Sequence, residues 1–416
     1  EVFEPHTESQ GAYRATITRK FIKDLVDFAN KNGIRVVTLE SGFASLRGAL
    51  KHPEEMKYSQ DGQILLYNGK IYEKERFAVV PANIYTEDAV RRYAQEMVAS
   101  TDMFNWNGVR FDWGFIPVVP PDPLDINASQ QVWYNFEGVP ADKIFTDPDN
   151  TGARLLTLWR GVVNSKHPRF EYMTNCGLTE ETVRKFPKYV DVATTKSGVL
   201  FEFLLDYTKD DMNTWEKWAN ALVSSAQIAR KNGGQPSVGW MRGYAPGGIT
   251  HRLLHYITFS SGVHWYGPVG PRYSIDDTWK RFAYSLRFSE YFYDPGFKRL
   301  PEGSVSVEGA DRILWKPFVY GRELDGKKRE VAVHILNLPQ SDYISMHHEI
   351  PEIKRGIKVK TELKTGERCE KATILLPDPY PHTEQLKFRT EGGNLIIEVP
   401  EIREAGVVVA EIGGGR

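Results

Sequence analysis

Cysteine is nearly absent: Cys176 and Cys369 are the only two in 416 residues. That excludes a disulfide scaffold and a cysteine-based metal cluster, and leaves two free thiols as the plain reading. Long apolar runs are also missing. Stretches such as Phe77 to Ala82 are far too short to cross a bilayer, which takes about 20 residues of helix. Neither sign of charge dominates, since 53 Lys and Arg face 54 Asp and Glu. A general polyanion binder carries an excess of base, so nucleic acid is not an expected partner, and neither is a membrane. No G-x-G-x-x-G and no G-x-x-x-x-G-K-[ST] occurs, which removes the usual phosphate cradles. H-E-x-x-H is absent, and Ser260-Ser261-Gly262 lacks the spacing of a nucleophile elbow. His347-His348 reads as a surface pair, so neither a metal nor a cofactor is expected. The chain opens Glu1-Val2-Phe3 without an initiator Met, a basic n-region or an apolar h-region. Its compartment is therefore not written in a targeting signal, and an extracellular or cell-surface setting is the expectation.

What is present is an ordinary globular balance, 41% hydrophobic and 26% charged, which rules out a disordered or fibrous chain. Aromatics reach 12%, with 10 Trp, a composition suited to stacking on flat faces such as sugar rings. The first two-thirds alternates between helix and strand patterns. Residues 14 to 32 place Ile17, Phe21, Ile22, Leu25, Val26 and Phe28 at spacings of three and four, and Asn32-Gly33 ends the run. Strand signals follow at 34–40, 77–83, 108–113, 170–175, 190–194, 236–240 and 262–265, most of them separated by helical segments. The Leu200 to Phe203 piece stands outside that count of seven. Alternating βα units predict a parallel sheet covered by helices. With no glycine-rich phosphate loop after its first strand, the open doubly wound sheet is the weaker choice. Most of these strands instead end on polar or aromatic residues: Glu40, Asn83, Asp112, Asn175, Trp240 and Trp265. Functional groups at the C-terminal ends of many strands are what a (β/α)8 TIM barrel uses. The expected fold class is α/β, a (β/α)8 barrel over 1–296. Its first strand is expected near Val2-Phe3 or before residue 1, so earlier residues are expected too. After Asp294-Pro295-Gly296 the pattern becomes short strands and turns, which predicts an all-β sandwich over 297–416.

The sharpest segment is Trp106-Asn107-Gly108-Val109-Arg110-Phe111-Asp112-Trp113-Gly114. Residues two apart share a face of a strand, so Arg110 can keep Asp112 ionised by Coulombic attraction. An ionised, positioned carboxylate can attack an anomeric carbon, and a structural ion pair is the equally weighted alternative. A retaining glycosidase needs a second carboxyl about 5 Å away. Glu202, between Phe201 and Phe203, has the apolar neighbours that raise a carboxyl pKa toward that of a general acid. Glu171 begins its strand, at the wrong end for the chemistry, and Asp206 is less enclosed. Glu40, Asn175, Arg242 and His264 are candidates for binding sugar hydroxyls, and Trp113, Trp240 and Trp265 for stacking on sugar faces. Lys196 is the one lysine near a strand end that a Schiff-base enzyme could use.

Gly108-Val109-Arg110-Phe111-Asp112 resembles the fourth-strand motif of retaining α-glycosidases with (β/α)8 barrels. These are the α-amylase and α-galactosidase superfamilies and the dextranase and cycloisomaltooligosaccharide glucanotransferase family. The resemblance implies that Asp112 is the nucleophile, with Arg110 the arginine typical of the α-amylase group. It implies that Glu202 is the acid/base by similarity to the dextranase-like family, and that a β-sandwich follows the barrel. The strand-seven His-Asp pair of α-amylases is replaced here by Trp240-Met241-Arg242. The implied activity is glycoside hydrolysis by double displacement on an α-linked oligo- or polysaccharide. A transglycosylase on the same site and a non-catalytic carbohydrate-binding protein are the alternatives. The loop carrying Lys51-His52-Pro53-Glu54 receives no role.

Overall fold

The computed structural model describes residues 18–40, 43–45, 51–64, 79–81, 86–111, 133–175, 180–201, 214–239, 248–266, 275–324, 326, 328–344 and 349–414. The chain divides into two compact units, Glu1–Leu200 with Lys231–Gly234, and Phe201–Arg230 with Gln235–Arg416. In the first unit, helix α1 (Arg19–Lys31) is capped by Thr18, whose side chain accepts from the Phe21 N–H. Gly33 takes the left-handed turn that follows it, at φ 75°. Helix α2 (Glu87–Phe104) starts the same way, with Thr86 accepting from Ala89 and two acids in its first turn. It stops at Asn105, whose φ of 61° only a few side chains tolerate. A short helix, α3 (Ala141–Ile144), precedes α4 (Pro148–Asn164), which Asp147 caps.

Four parallel strands run between these helices: β1 (Val37–Glu40), β4 (Gly108–Phe111), β5 (Glu171–Asn175) and β6 (Gly198–Phe201). Two short strands, β2 (Phe43–Ser45) and β3 (Val79–Pro81), pair with each other antiparallel. The strand expected at 77–83 is present over 79–81, but its pairing is antiparallel and not part of the parallel set. That segment forms a two-stranded ribbon with the chain just after β1, because a tight antiparallel pairing needs no crossover helix.

A second correction concerns 190–194. Helix α5 (Glu180–Lys185) leads into α6 (Pro187–Thr194), so the apolar run there is helical. Pro187 supplies a preset φ in the first turn, and Tyr189, Val190, Ala193 and Thr194 are buried at helical spacing. The true strand is β6, the piece set outside the count. Lys196, at φ 48°, lies in the turn before β6, and its N–H donates to the Asn232 carbonyl at 3.2 Å. It therefore stands at the start of a strand, the wrong end for a barrel lysine nucleophile.

In the second unit, helix α7 (Trp215–Lys231) is followed by β7 (Gln235–Gly239), α8 (Ile249–Ser260) and β8 (His264–Tyr266), with β7 and β8 parallel. Helices α9 (Ile275–Arg287) and α10 (Ser289–Tyr293) complete the helical part. A closed eight-stranded barrel is not present among the described residues, which supply four parallel strands in one unit and two in the other.

The sandwich strands are β9 (Lys298–Arg299), β10 (Val305–Glu308), β11 (Ile313–Leu314), β12 (Val319–Glu323), β13 (Lys328–Asn337), β14 (Lys354–Glu362), β15 (Glu367–Leu376), β16 (His382–Gln385), β17 (Lys387–Glu391), β18 (Asn394–Ile402) and β19 (Ala405–Gly414). One sheet runs β10-β14-β18-β17 and the other β16-β15-β19-β13-β12-β9. Their inner faces share one core containing Val333, Ile335, Val359, Ile374, Ile397 and Val408. β15 escapes the sequence pattern because its first half, Glu367 to Lys371, carries charged residues where it leaves that core.

Helix α8 is buried on nearly every side because sandwich residues reach its outer face. Tyr320 donates to the Ser260 carbonyl at 2.8 Å, His334 Nδ1 lies 3.1 Å from the Ser260 hydroxyl, and Arg252 pairs with Glu404 at 2.7 Å. The last helices are therefore bound to the sandwich within one compact unit, which is why that unit begins well before Asp294-Pro295-Gly296.

Candidate active site

Pairing register brings the strand ends of the first unit onto one edge. Glu40 is opposite Phe111, Phe111 is opposite Thr174, and Asn175 is opposite Leu200. The C-terminal ends of β1, β4, β5 and β6 thus fall within about one residue of each other. Glu40 closes β1 and Asn175 closes β5. Asp112 is the next residue in sequence after β4, and Glu202 the next after β6. Asp112, Trp113, Glu202, Trp240 and Arg242 lie outside the described residues.

The motif around β4 builds this edge from below. The Asn107 N–H donates to the Val36 carbonyl at 2.8 Å, and its side-chain Oδ1 accepts from the Val36 N–H at 2.6 Å. The Asn107 carbonyl then accepts from Glu171 at 2.9 Å, so one residue aligns the starts of three strands. Trp106 is tied down through its indole N–H to Ser100 Oγ at 3.0 Å. Gly108 is required by closeness: a Cβ there would sit 2.5 Å from the Glu171 carbonyl oxygen. Val109 and Phe111 are buried against the helical layer, Phe111 edge-on to Trp159 at 4.9 Å. Alternation then puts the half-buried Arg110 on the opposite face of the sheet, at the level of Leu39 and Met173. Two residues of the motif, Asn107 and Gly108, thereby serve strand alignment. Glu171 lies at the start of β5, exposed and paired with Arg35 at 2.9 Å.

In the second unit His264 and Trp265 both lie on β8. His264 opens β8 instead of closing it, opposite Ser237, and its ring stacks on Tyr293 at 4.0 Å. Burial, and then the nearby Arg230 cation, push its pKa below the usual imidazole value. Trp265 turns its ring to helix α8, edge-on to His255 at 3.9 Å and His251 at 5.7 Å. Both side chains are half-buried and make these packing contacts within the second unit.

One cluster had no sequence signal. The loop at 51–55 gathers His52, Glu54 and Glu55, whose ligand-type atoms lie within 4.8 Å of each other. Arg92 grips both oxygens of the buried Glu55 carboxylate, so that carboxylate's charge is already answered. His347-His348 lies outside the described residues. No described helix is long and apolar enough to cross a membrane.

The described elements define a class of architecture: parallel βα repeats followed in sequence by a β-sandwich. The chain is similar to the solved structure of a cycloisomaltooligosaccharide glucanotransferase from Paenibacillus sp., complexed with cycloisomaltoheptaose. The TM-score is 0.67 at 10% identity, over 94% of this chain and 75% of that one. It is also similar to a noncanonic maltogenic α-amylase from Thermotoga neapolitana, with a TM-score of 0.52 at 11% identity, over 94% and 81% of the two chains. At such identities the likeness is one of fold. The glucanotransferase and the α-amylase come from groups that the Gly108 to Asp112 motif resembles. No protein-family model and no curated protein matches the sequence.

Proposed function

We propose that this chain is a retaining glycoside hydrolase acting on α-linked oligo- or polysaccharides, with Asp112 as nucleophile and Glu202 as acid/base. The observation that carries the reading is the register of β4, β5 and β6. The two carboxylic residues follow β4 and β6, with one strand between them. Two strand spacings amount to about 10 Å of backbone separation. A retaining pair needs its carboxyl groups ~5 Å apart, a gap within the reach of Asp and Glu side chains on strands at that spacing. In this scheme Asp112 attacks the anomeric carbon as Glu202 protonates the leaving oxygen. Glu202 then removes a proton from water, which releases the sugar from Asp112. Arg110 keeps Asp112 ionised, and Glu40, Asn175, Arg242 and His264 bind hydroxyls while Trp113, Trp240 and Trp265 supply stacking faces. The fold that goes with this scheme is a (β/α)8 barrel over 1–296 and a sandwich over 297–416.

Replacing water by an acceptor sugar turns the same intermediate into a transglycosylation product. That second reading is favoured by the likeness in fold to a glucanotransferase. The test is a panel of aryl α- and β-glycosides, starch and dextran, with wild type beside Asp112→Asn and Glu202→Gln. Turnover by wild type, lost by at least ~10³ in Asp112→Asn, is the expected result. Saccharide binding without turnover, indifferent to both substitutions, would leave a carbohydrate-binding protein instead.

A further inference from the structure

The second unit contains a cavity of ≈ 160 Å³ between helices α8 and α9 and the sandwich. Its walls carry three cationic side chains, Arg252, Lys280 and Arg281, two carboxylates, Asp378 and Glu404, and the phenol of Tyr256. Arg281 and Tyr256 are almost wholly buried, and Lys280 and Asp378 are exposed. The site is braced from behind. Arg281 donates through Nε to Nδ1 of the fully buried His255 at 2.8 Å, which fixes its guanidinium plane. Arg252 and Glu404 lock together through two contacts, at 2.7 and 3.0 Å. Burial raises the pKa of Glu404, and the Arg252 hydrogen bond works the other way.

The mixture of charges selects the ligand. A simple anion entering would meet two carboxylates, and a simple cation would meet three positive groups. A neutral ligand rich in hydroxyls avoids both conflicts, because each hydroxyl donates to a carboxylate and accepts from an ammonium, guanidinium or phenol. Charge-assisted hydrogen bonds of this kind are the strong ones. The volume is about half the lower bound of ordinary small-molecule pockets, near 300 Å³, so it suits one ring of a chain instead of an extended oligomer. We infer that this cavity, lined by residues other than the proposed catalytic pair, is a saccharide subsite that takes a single sugar ring of an oligosaccharide by its hydroxyls. The inference rests on the carbohydrate reading above for its ligand class.

The experiment uses the full chain. Maltoheptaose and isomaltoheptaose are titrated calorimetrically into Asp112→Asn, alone and combined with Lys280→Ala or Asp378→Asn. Both cavity positions are exposed, and the buried Arg252–Glu404 and Arg281–His255 contacts stay intact. The expected result is that one class of binding weakens at least tenfold in either cavity variant. Aryl glycoside turnover by Lys280→Ala and Asp378→Asn in the otherwise wild-type chain stays unchanged. Turnover by wild type with binding indifferent to both cavity substitutions overturns the subsite and leaves the enzyme reading standing. Binding lost in the cavity variants, with no turnover anywhere, supports the subsite and sinks the hydrolase. Neither turnover nor binding overturns both. Binding of inorganic phosphate in place of the sugars, weakened by Lys280→Ala, makes it an anion site and overturns the assignment.

Discussion

Acidification is expected to weaken the second unit through three buried histidines. His255 and His334 are at most 1% exposed and His251 is 4% exposed. Burial, with the Arg281 cation beside His251 and His255, keeps all three neutral: His251 titrates at about 4, His334 at about 3, and His255 well below the usual value. In the unfolded chain a histidine titrates near 6.5. The folded pKa is depressed, so the unfolded state takes up protons first as pH falls below about 6.5. The stability these groups contribute is fully present above that pH. It declines as pH falls toward the folded values, near 4 and 3. Between pH 7 and 5 linkage gives a loss of about 2 kcal/mol per histidine, or roughly 5–6 kcal/mol for the three. Glu404, raised by burial, contributes with the opposite sign and offsets part of this at the acid end. The assay is guanidinium unfolding at pH 7, 6 and 5, followed by tryptophan fluorescence and compared with His334→Gln. That substitution should remove about one third of the pH dependence. A midpoint and slope that stay constant from pH 7 to 5 would refute the argument, because they require these imidazoles to be protonated inside the fold.

Three further substitutions test other parts of the argument. Arg322 bonds Glu330, Asp294 and Glu290 and lies 4.5 Å over the Phe297 ring, while Glu330 is only 5% exposed. Arg322→Met leaves that carboxylate buried and unpaired and should cost about 3–5 kcal/mol in chemical unfolding, a loss that Glu330→Gln in the same chain should partly relieve. Trp159 is fully buried against Phe111, Phe170 and Tyr172. Trp159→Ala should therefore destabilise by about 3–5 kcal/mol, and an unchanged midpoint would mean that β4 does not depend on this packing. Gly108→Ala drives a methyl into the Glu171 carbonyl, so β4 must shift. The expected cost is about 1–3 kcal/mol with a disproportionate fall in kcat, read by thermal unfolding beside aryl glycoside turnover.

Much of the local structure could be read directly from the chain. Thr18, Thr86 and Asp147 cap helices because a short side-chain oxygen finds an unbonded N–H wherever it precedes a helical run. The alternation of 108–111 and the placing of Glu171 at a strand start follow from period-two patterning alone. The switch from βα repeats to a sandwich after 296 is a change of periodicity that needs no contacts to see. The ambiguous segments were those short enough to satisfy two periods. Val190 to Thr194 carries β-branched residues, yet it is a helix because Pro187 starts one and its neighbours bury the helical face. Val79 to Pro81 looks like a barrel strand, but its partner is Phe43 to Ser45, and no local signal names a partner.

Tertiary structure decided which groups meet. Arg252, Arg281, Asp378 and Glu404 span more than 150 residues of sequence, and they share one cavity only because α8 and α9 pack on the sandwich. The same packing turns His255 and His334 from ordinary imidazoles into neutral buried ones, since desolvation depends on neighbours and not on sequence position. It also sets the His264 ring on Tyr293 and the Trp265 ring on helix α8, contacts that no local sequence signal names. Periodicity and capping are short-range and act within a few residues. Charge pairing, burial and strand partnership act across the fold, and they exist only once the chain has closed on itself.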